Sequence, residues 1–260
     1  MKRSDLICEN ASLDPRSDRG FIRNYEISGI KCTEVTIDAE REKRLGRSAG
    51  RYFTLFVEEE DCGEAILRLL SRLLPREGSV LVVGLGNERI SADSLGAKSL
   101  RHIPATAHLS EHEDFSALGL RKVYVLGTGV TGQTGIESAR QVRLVADGVD
   151  AAYIVAVDAL ACAERDRLCR TIQVTDTGIE PGAGVGNSRR ALNEKTVGRR
   201  VYAIGVPTVI DYEQPNKEPF MVTPRNIDRI TDRYARLIGS ALSRALNPVL
   251  TEDELSALLL

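Results

Sequence analysis

The sequence predicts an α/β protein with a mostly parallel sheet covered on both faces by helices. Short, almost wholly apolar runs at residues 79–85, 122–126, 152–157, 171–174 and 200–204 recur along the chain, which is how strands buried on both faces read. Helical segments fit between them at about 94–102 and 135–146, with the spacing of right-handed crossovers. At 260 residues and 42% hydrophobic content, the chain can bury one sizeable core.

Taken in order, the first forty or so residues are polar, with turn signals at Asp14-Pro15 and Gly20. Alternation over 32–37 and β-rich composition over 51–57 predict two strands. Ile66, Leu67, Leu69, Leu70, Leu73 and Leu74 recur at helical spacing, and Pro75 stops that helix. After the five apolar runs, a long helix is expected with Thr223 as N-cap and Pro224 in its first position, reaching Leu246 before Asn247-Pro248 ends it. Thr251 to Glu254 has the capping pattern of a short terminal helix. The expected organisation is a single domain over 1–260: a β-rich extension at 1–60, a core at 79–211 and closing helices at 224–260.

A formal net charge of −2, with both signs interspersed, gives no basic surface for a phosphate backbone, so no direct nucleic-acid partner is expected. No secretory signal is recognisable at the start. The longest apolar run, 151–163, is far shorter than a bilayer span and contains Asp158, so no membrane contact and a cytoplasmic location are expected. Five scattered cysteines without a CxxC pair support neither a disulfide framework nor a zinc knuckle.

In an open α/β sheet, ligands bind beyond the carboxyl ends of the strands. The segments there are rich in glycine, from Gly84-Leu85-Gly86-Asn87, through Gly127 to Gly135 and Gly178 to Gly186, to Gly205. Such loops let another backbone approach closely, as an extended polypeptide requires, although glycines also simply turn a chain between strand and helix. A dinucleotide site at Gly84-x-Gly86 is disfavoured because Arg89 stands where the fingerprint needs a small residue. Asp158 follows an apolar strand, where a carboxylate needs a partner or a function. Asp93 lies where the first strand-to-helix loop enters its helix, so capping competes with catalysis as its role. Two converging carboxylates can divide the work of general base and general acid. His102, His108 and His112 cluster in sequence without an HExxH motif, which makes coordination the lesser reading. No GxSxG elbow is present, and no histidine shares a segment with Cys162 and Cys169.

These loops carry Val82-Val83-Gly84-Leu85-Gly86-Asn87, Asp93-Ser94-Leu95-Gly96, Thr134-Gly135-Ile136-Glu137, Val157-Asp158-Ala159-Leu160-Ala161, Asp176-Thr177-Gly178-Ile179, Pro181-Gly182-Ala183-Gly184-Val185-Gly186-Asn187 and Gly205-Val206-Pro207-Thr208. In that order they resemble the motif set of the germination proteases of spore-forming bacteria. The resemblance implies a three-layer α/β/α sandwich similar to the hydrogenase maturation proteases. It implies a homotetramer of the forespore and spore core that cleaves small acid-soluble spore proteins by an atypical aspartic mechanism, with no cofactor and no metal. The family's two essential aspartates fall on Asp93 and Asp158. Asn87, Glu137, Asp176, Thr177, Asn187 and Thr208 match other motif positions, as substrate-binding or supporting residues.

Three departures from the family pattern stand out. Only Met1-Lys2 precede Arg3-Ser4-Asp5-Leu6; two residues span at most about 7 Å, so activation by clipping ahead of Arg3 is not expected. A segment between Thr208-Val209 and Met221-Val222-Thr223-Pro224 is short here, and the family's arginine after Asp-Ala-Leu-Ala is Ala163 or is shifted to Arg165. Two rival readings follow: a metal-assisted maturation peptidase on the same scaffold, with His108 or another histidine beside the aspartates, or a non-catalytic binding or assembly homologue.

Overall fold

A computed structural model describes residues 4–10, 13, 18, 20–57, 62–112, 114–180, 190–212 and 220–259. The elements run β1 (Ile22–Ile27), β2 (Ile30–Ile37), α1 (Ala39–Leu45), β3 (Gly50–Phe56), α2 (Gly63–Leu73), β4 (Val80–Leu85), α3 (Leu95–Leu100), α4 (Asp114–Ala117) and β5 (Val123–Gly129). They continue as α5 (Thr131–Thr134), α6 (Ser138–Gly148), β6 (Tyr153–Cys162), β7 (Thr171–Thr175), α7 (Glu194–Val197), β8 (Arg200–Tyr212), β9 (Phe220–Val222), α8 (Ile227–Leu246) and α9 (Glu252–Ala257).

One sheet runs β1-β2-β3-β7-β8-β6-β4-β5, with β9 added to the far end of β8. Strands β5, β4, β6 and β8 are parallel to one another, as their apolar composition predicts. The α/β class and the helical layers on both faces are as expected, but the sheet carries more antiparallel pairing than its mostly parallel reading. Strand β7 runs antiparallel to both β3 and β8, and β1, β2 and β3 extend that half in antiparallel order. The link from Cys162 to Thr171 explains the reversal of β7. It is too short for a parallel crossover, which takes a dozen or more residues.

Helices α2, α3 and α8 cover one face, where Ile66, Leu70, Leu95, Ile238 and Leu242 meet Val82, Val155, Val157 and Ile204. On the other face, Ala139, Val142 and Ala146 of α6 and Val197 of α7 meet Leu81, Val83, Ile154, Ala156 and Ala203. That second face is continued over β3 and β7 by the N-terminal segment, whose Ile7 packs on Val35, Ile37 and Tyr52.

Three expectations about elements are corrected. Asp158 does not end its strand: β6 continues to Cys162 because β8 stays paired with it as far as Ile210. The 135–146 helix begins only at Ser138, as α6, because Gly135, with a φ of 70°, ends the separate short α5 that precedes it. Helix α8 starts at Ile227 with Asn226 as its cap residue, too far along the chain for Thr223 to cap it; the Thr223 hydroxyl donates to the Thr208 carbonyl (2.8 Å).

Strand β4 pairs with β6 only as far as Gly84 opposite Val157, so β6 projects beyond it with β8 alone alongside. The first turn of α3 closes over this step. A Cβ added to Gly96 would lie 2.3 Å from the Leu85 carbonyl oxygen and 2.5 Å from that of Val157, both main-chain atoms that cannot swing away. Gly96→Ala is therefore expected to lower stability by about 2 kcal/mol, in the range for overpacking. Urea unfolding of the variant beside the parent checks this, and equal midpoints would refute the close approach.

Candidate active site

Asp158 is 4% exposed, between Val157 and Ala159 in the projecting part of β6. By the two-residue period of a strand its side chain shares the face of Ile154, Ala156 and Leu160. Its Oδ1 accepts from the Ala159 N–H (2.9 Å). Asp93 is half-buried at the end of a 3₁₀ turn, Ser91–Asp93, and does not cap α3; Ser94 holds the cap position. Its Oδ2 accepts from the Asn87 N–H (2.7 Å). That bond folds the loop after β4 back on itself, and Gly86, with φ 95°, permits the fold: a Cβ there would lie 2.1 Å from the Asp93 carbonyl oxygen.

The same turn is held from the other side. The Thr208 hydroxyl, on β8, donates to the Ala92 carbonyl (2.6 Å). Since β6 lies between β4 and β8, the turn carrying Asp93 is tied to both neighbours of the strand carrying Asp158, across its projecting end. Asn87 and Thr208 thus hold the turn that carries Asp93, and that turn lies beside the strand that carries Asp158.

Asp176 and Thr177 are not part of this group. Because β7 is antiparallel, its last residue, Thr175, stands opposite Ala203, and the chain then moves away from the end of β8 that carries Thr208. Asp176 accepts from the Arg51 backbone N–H (2.7 Å) and its Nε (2.8 Å), clamping β7 to β3. Thr177 donates to the Tyr52 hydroxyl (3.0 Å), which donates to the Ser48 carbonyl (2.8 Å). Thr177, Tyr52 and Ser48, but not Asp176, border a cavity of about 40 Å³ whose wall includes Asp5, Arg47, Leu160 and Gly205. Glu137 is exposed at the cap position of α6, with no side-chain bond there. Asn187 lies outside the described residues.

Two features escaped the reading of the sequence. Gln133, on α5, donates through Nε2 to the Asn87 Oδ1 (2.7 Å) and so joins the β5 loop to the β4 loop. Asp5 reaches the projecting edge of β6, donating its N–H to the Ala161 carbonyl (2.9 Å) and accepting from the Ala161 N–H (2.8 Å). A polar residue in a loop or an N-terminal tail carries no periodicity, so only long-range contact reveals either one.

Other chemistries find less support. Burial pushes the Cys162 and Cys169 thiols up to about 12, so both are neutral and poorly nucleophilic near pH 7. Burial, then the neighbouring Arg236 and Arg101, holds His102 below its usual range. Among the described residues no three His, Cys, Asp or Glu side chains group as metal ligands would. No described helix is long and apolar enough to cross a membrane.

Comparison with known proteins agrees with the resemblance. Residues 9–214 match the model of the family described as germination protease. A germination protease of Clostridium tetani is 33% identical over 319 aligned positions, covering 99% of each chain. Those of Caldanaerobacter subterraneus and Bacillus licheniformis are each 34% identical, covering 99% and 96% of this chain and 98% and 73% of their own. Because 319 aligned positions exceed the 260 residues here, the C. tetani relative carries insertions that this chain lacks. A [NiFe] hydrogenase maturation protease, HycI, from Thermococcus kodakarensis overlies 67% of this chain and 98% of its own at 16% identity, with a TM-score of 0.39. Sequence identity over nearly the whole length, together with the family match, places the chain in the germination protease family of peptidases.

Proposed function

We propose that this peptidase is an endopeptidase that degrades small acid-soluble spore proteins in the germinating spore, with Asp93 and Asp158 as a water-activating pair and no metal. The observation that carries the reading is a carboxylate buried inside a strand, at a step in the sheet, with a second carboxylate held across the end of that strand. A buried carboxylate is costly to desolvate, and such sites are where functional acids and bases concentrate.

In this mechanism one carboxylate takes a proton from water as the water oxygen bonds to the scissile carbonyl carbon. The other, protonated, donates to the leaving amine as the C–N bond breaks, and the pair exchanges roles before the next turnover. No electron leaves or enters, and the protons balance within the pair and the water. Asn87 and Thr208 support the Asp93 turn. Glu137, Asp176, Thr177 and Asn187 are assigned to the binding of the extended substrate, Thr177 through the cavity beside β8. Assembly as a homotetramer in the forespore belongs to the same proposal.

Asp93→Asn and Asp158→Asn are each expected to abolish hydrolysis of a small acid-soluble spore protein while leaving the fold intact, since a near-isosteric amide cannot exchange the proton. If the two act as a unit, the double variant is little worse than either single one. Either single variant turning over near the wild-type rate removes that aspartate from the chemistry. Chelator treatment is expected to leave the rate unchanged; a loss restored by a divalent ion supports the metal-assisted rival. Thr208→Val keeps the shape but strips the Ala92 carbonyl of its donor, so about 1 kcal/mol of stability and part of the turnover should go together. Urea unfolding and initial rates on one preparation check this, and a stability loss with an unchanged rate detaches Thr208 from the site.

A further inference from the structure

Asn87 holds an unusual position, because three of its four polar groups are committed, its carbonyl accepting from the Ile90 N–H (3.0 Å). Its main-chain N–H donates to Asp93. Its side-chain Oδ1 accepts from the Arg89 N–H (3.0 Å) and from Gln133 Nε2 (2.7 Å). A peptide N–H can only donate, so the oxygen end of the amide must face Arg89, and the assignment of O and N is not ambiguous. Gln133 is oriented in turn by the Val130 N–H, which approaches its Oε1 (3.4 Å). The NH₂ end of Asn87 therefore points away from both partners, and among the described residues it donates to none. The residue is half-buried and directly attached to the carboxylate of Asp93 through its own backbone.

A fixed amide donor of this kind, on the residue whose N–H binds the Asp93 carboxylate, suits the position where negative charge develops during peptide hydrolysis. The carbonyl oxygen gains that charge when water adds, and a donor already aimed at it needs no reorganisation. We propose that the Asn87 side-chain amide donates a hydrogen bond to the scissile carbonyl oxygen in the transition state. Gln133 is a positioning residue that keeps the amide's nitrogen turned toward the substrate. Asn87 exchanges no proton; it polarises the carbonyl while the aspartates carry the proton transfers. This rests on the reading of Asp93 and Asp158 as the hydrolytic pair.

The role of Gln133 has a signature that mere support of the loop lacks. Replacing it with Ala removes one of two donors to the Asn87 oxygen and leaves the Arg89 bond to hold the orientation. Replacing it with Glu substitutes an acceptor, which attracts the NH₂ end of Asn87 and competes to turn it around. The isosteric Gln133→Glu is thus the more damaging change, which is the reverse of what a packing role predicts.

The test measures kcat and KM for a small acid-soluble spore protein with the wild type, Asn87→Ala, Asn87→Asp, Gln133→Ala, Gln133→Glu, Asp93→Asn and Asp158→Asn, each checked for its fold by circular dichroism. Asn87→Asp preserves both accepted hydrogen bonds but has no donor, so it guards against a collapse of the loop in the alanine variant. Both Asn87 variants should lose roughly a hundred- to a thousand-fold in kcat, with KM nearly unchanged, as removal of an oxyanion donor does. Gln133→Glu should lose about tenfold, and Gln133→Ala distinctly less. Folded Asn87→Ala with kcat near the wild-type value, while both aspartate variants are dead, overturns this inference alone. So does an Asn87 effect confined to KM. An inactive wild type, or active aspartate variants, overturns the underlying reading of the site and this inference with it.

Discussion

Because Gly96 has no side chain, the first turn of α3 lies against the backbone of two strands at once, Leu85 of β4 and Val157 of β6. Those two contacts fix how far the loop after β4 can travel before it must turn into the helix. Asp93 stands three residues before Gly96 and Asp158 one residue after Val157, so this close approach places the backbone on which both are carried. The Thr208 and Asn87 bonds then hold the intervening turn on either side. A side chain at residue 96 would lift the helix off this step, and the carboxylates would lose their common frame.

The step itself comes from unequal strand lengths. Strand β6 runs five residues beyond its pairing with β4, supported by β8, and this puts a carboxyl side chain in the projecting part of the sheet. Asp158 is nonetheless almost inaccessible, so its charged form depends on fixed dipoles and not on bulk water. The Ala159 N–H is one of these. A site of this kind can favour transfer of a proton to or from a substrate that displaces the remaining water.

Much of this was legible in the sequence. The apolar runs located β4, β5, β6 and β8, and reading past their ends drew attention to Asp93 and Asp158 as candidates, the second of which lies inside β6 and not after it. Periodicity could not reveal that β7 runs backward, because Thr171 to Thr175 is buried on both faces just as a parallel strand is. That reversal is what separates Asp176 and Thr177 from the aspartates, despite their place in the same series of motifs. Strand β9 and helix α1 were also missed. Phe220, Met221 and Val222 are all exposed and show no alternation, whereas Asp38 and Gly46 do carry the signals of a helix start and stop around α1. Gln133 could not be found from the sequence at all, since its only distinction is a bond to a residue 46 positions away.

The most direct test of the central claim, that one scissile bond is served by both carboxylates, is a crystal structure of Asp158→Asn with an uncleaved peptide from a small acid-soluble spore protein. The account predicts an extended peptide across the projecting end of β6. Its scissile peptide group should be reached, directly or through one water poised over the carbonyl carbon, by Asp93 and by residue 158, each within hydrogen-bond range of roughly 3 Å. A peptide seated elsewhere, for example along β3 and β7 with neither side chain near its scissile bond, would contradict it.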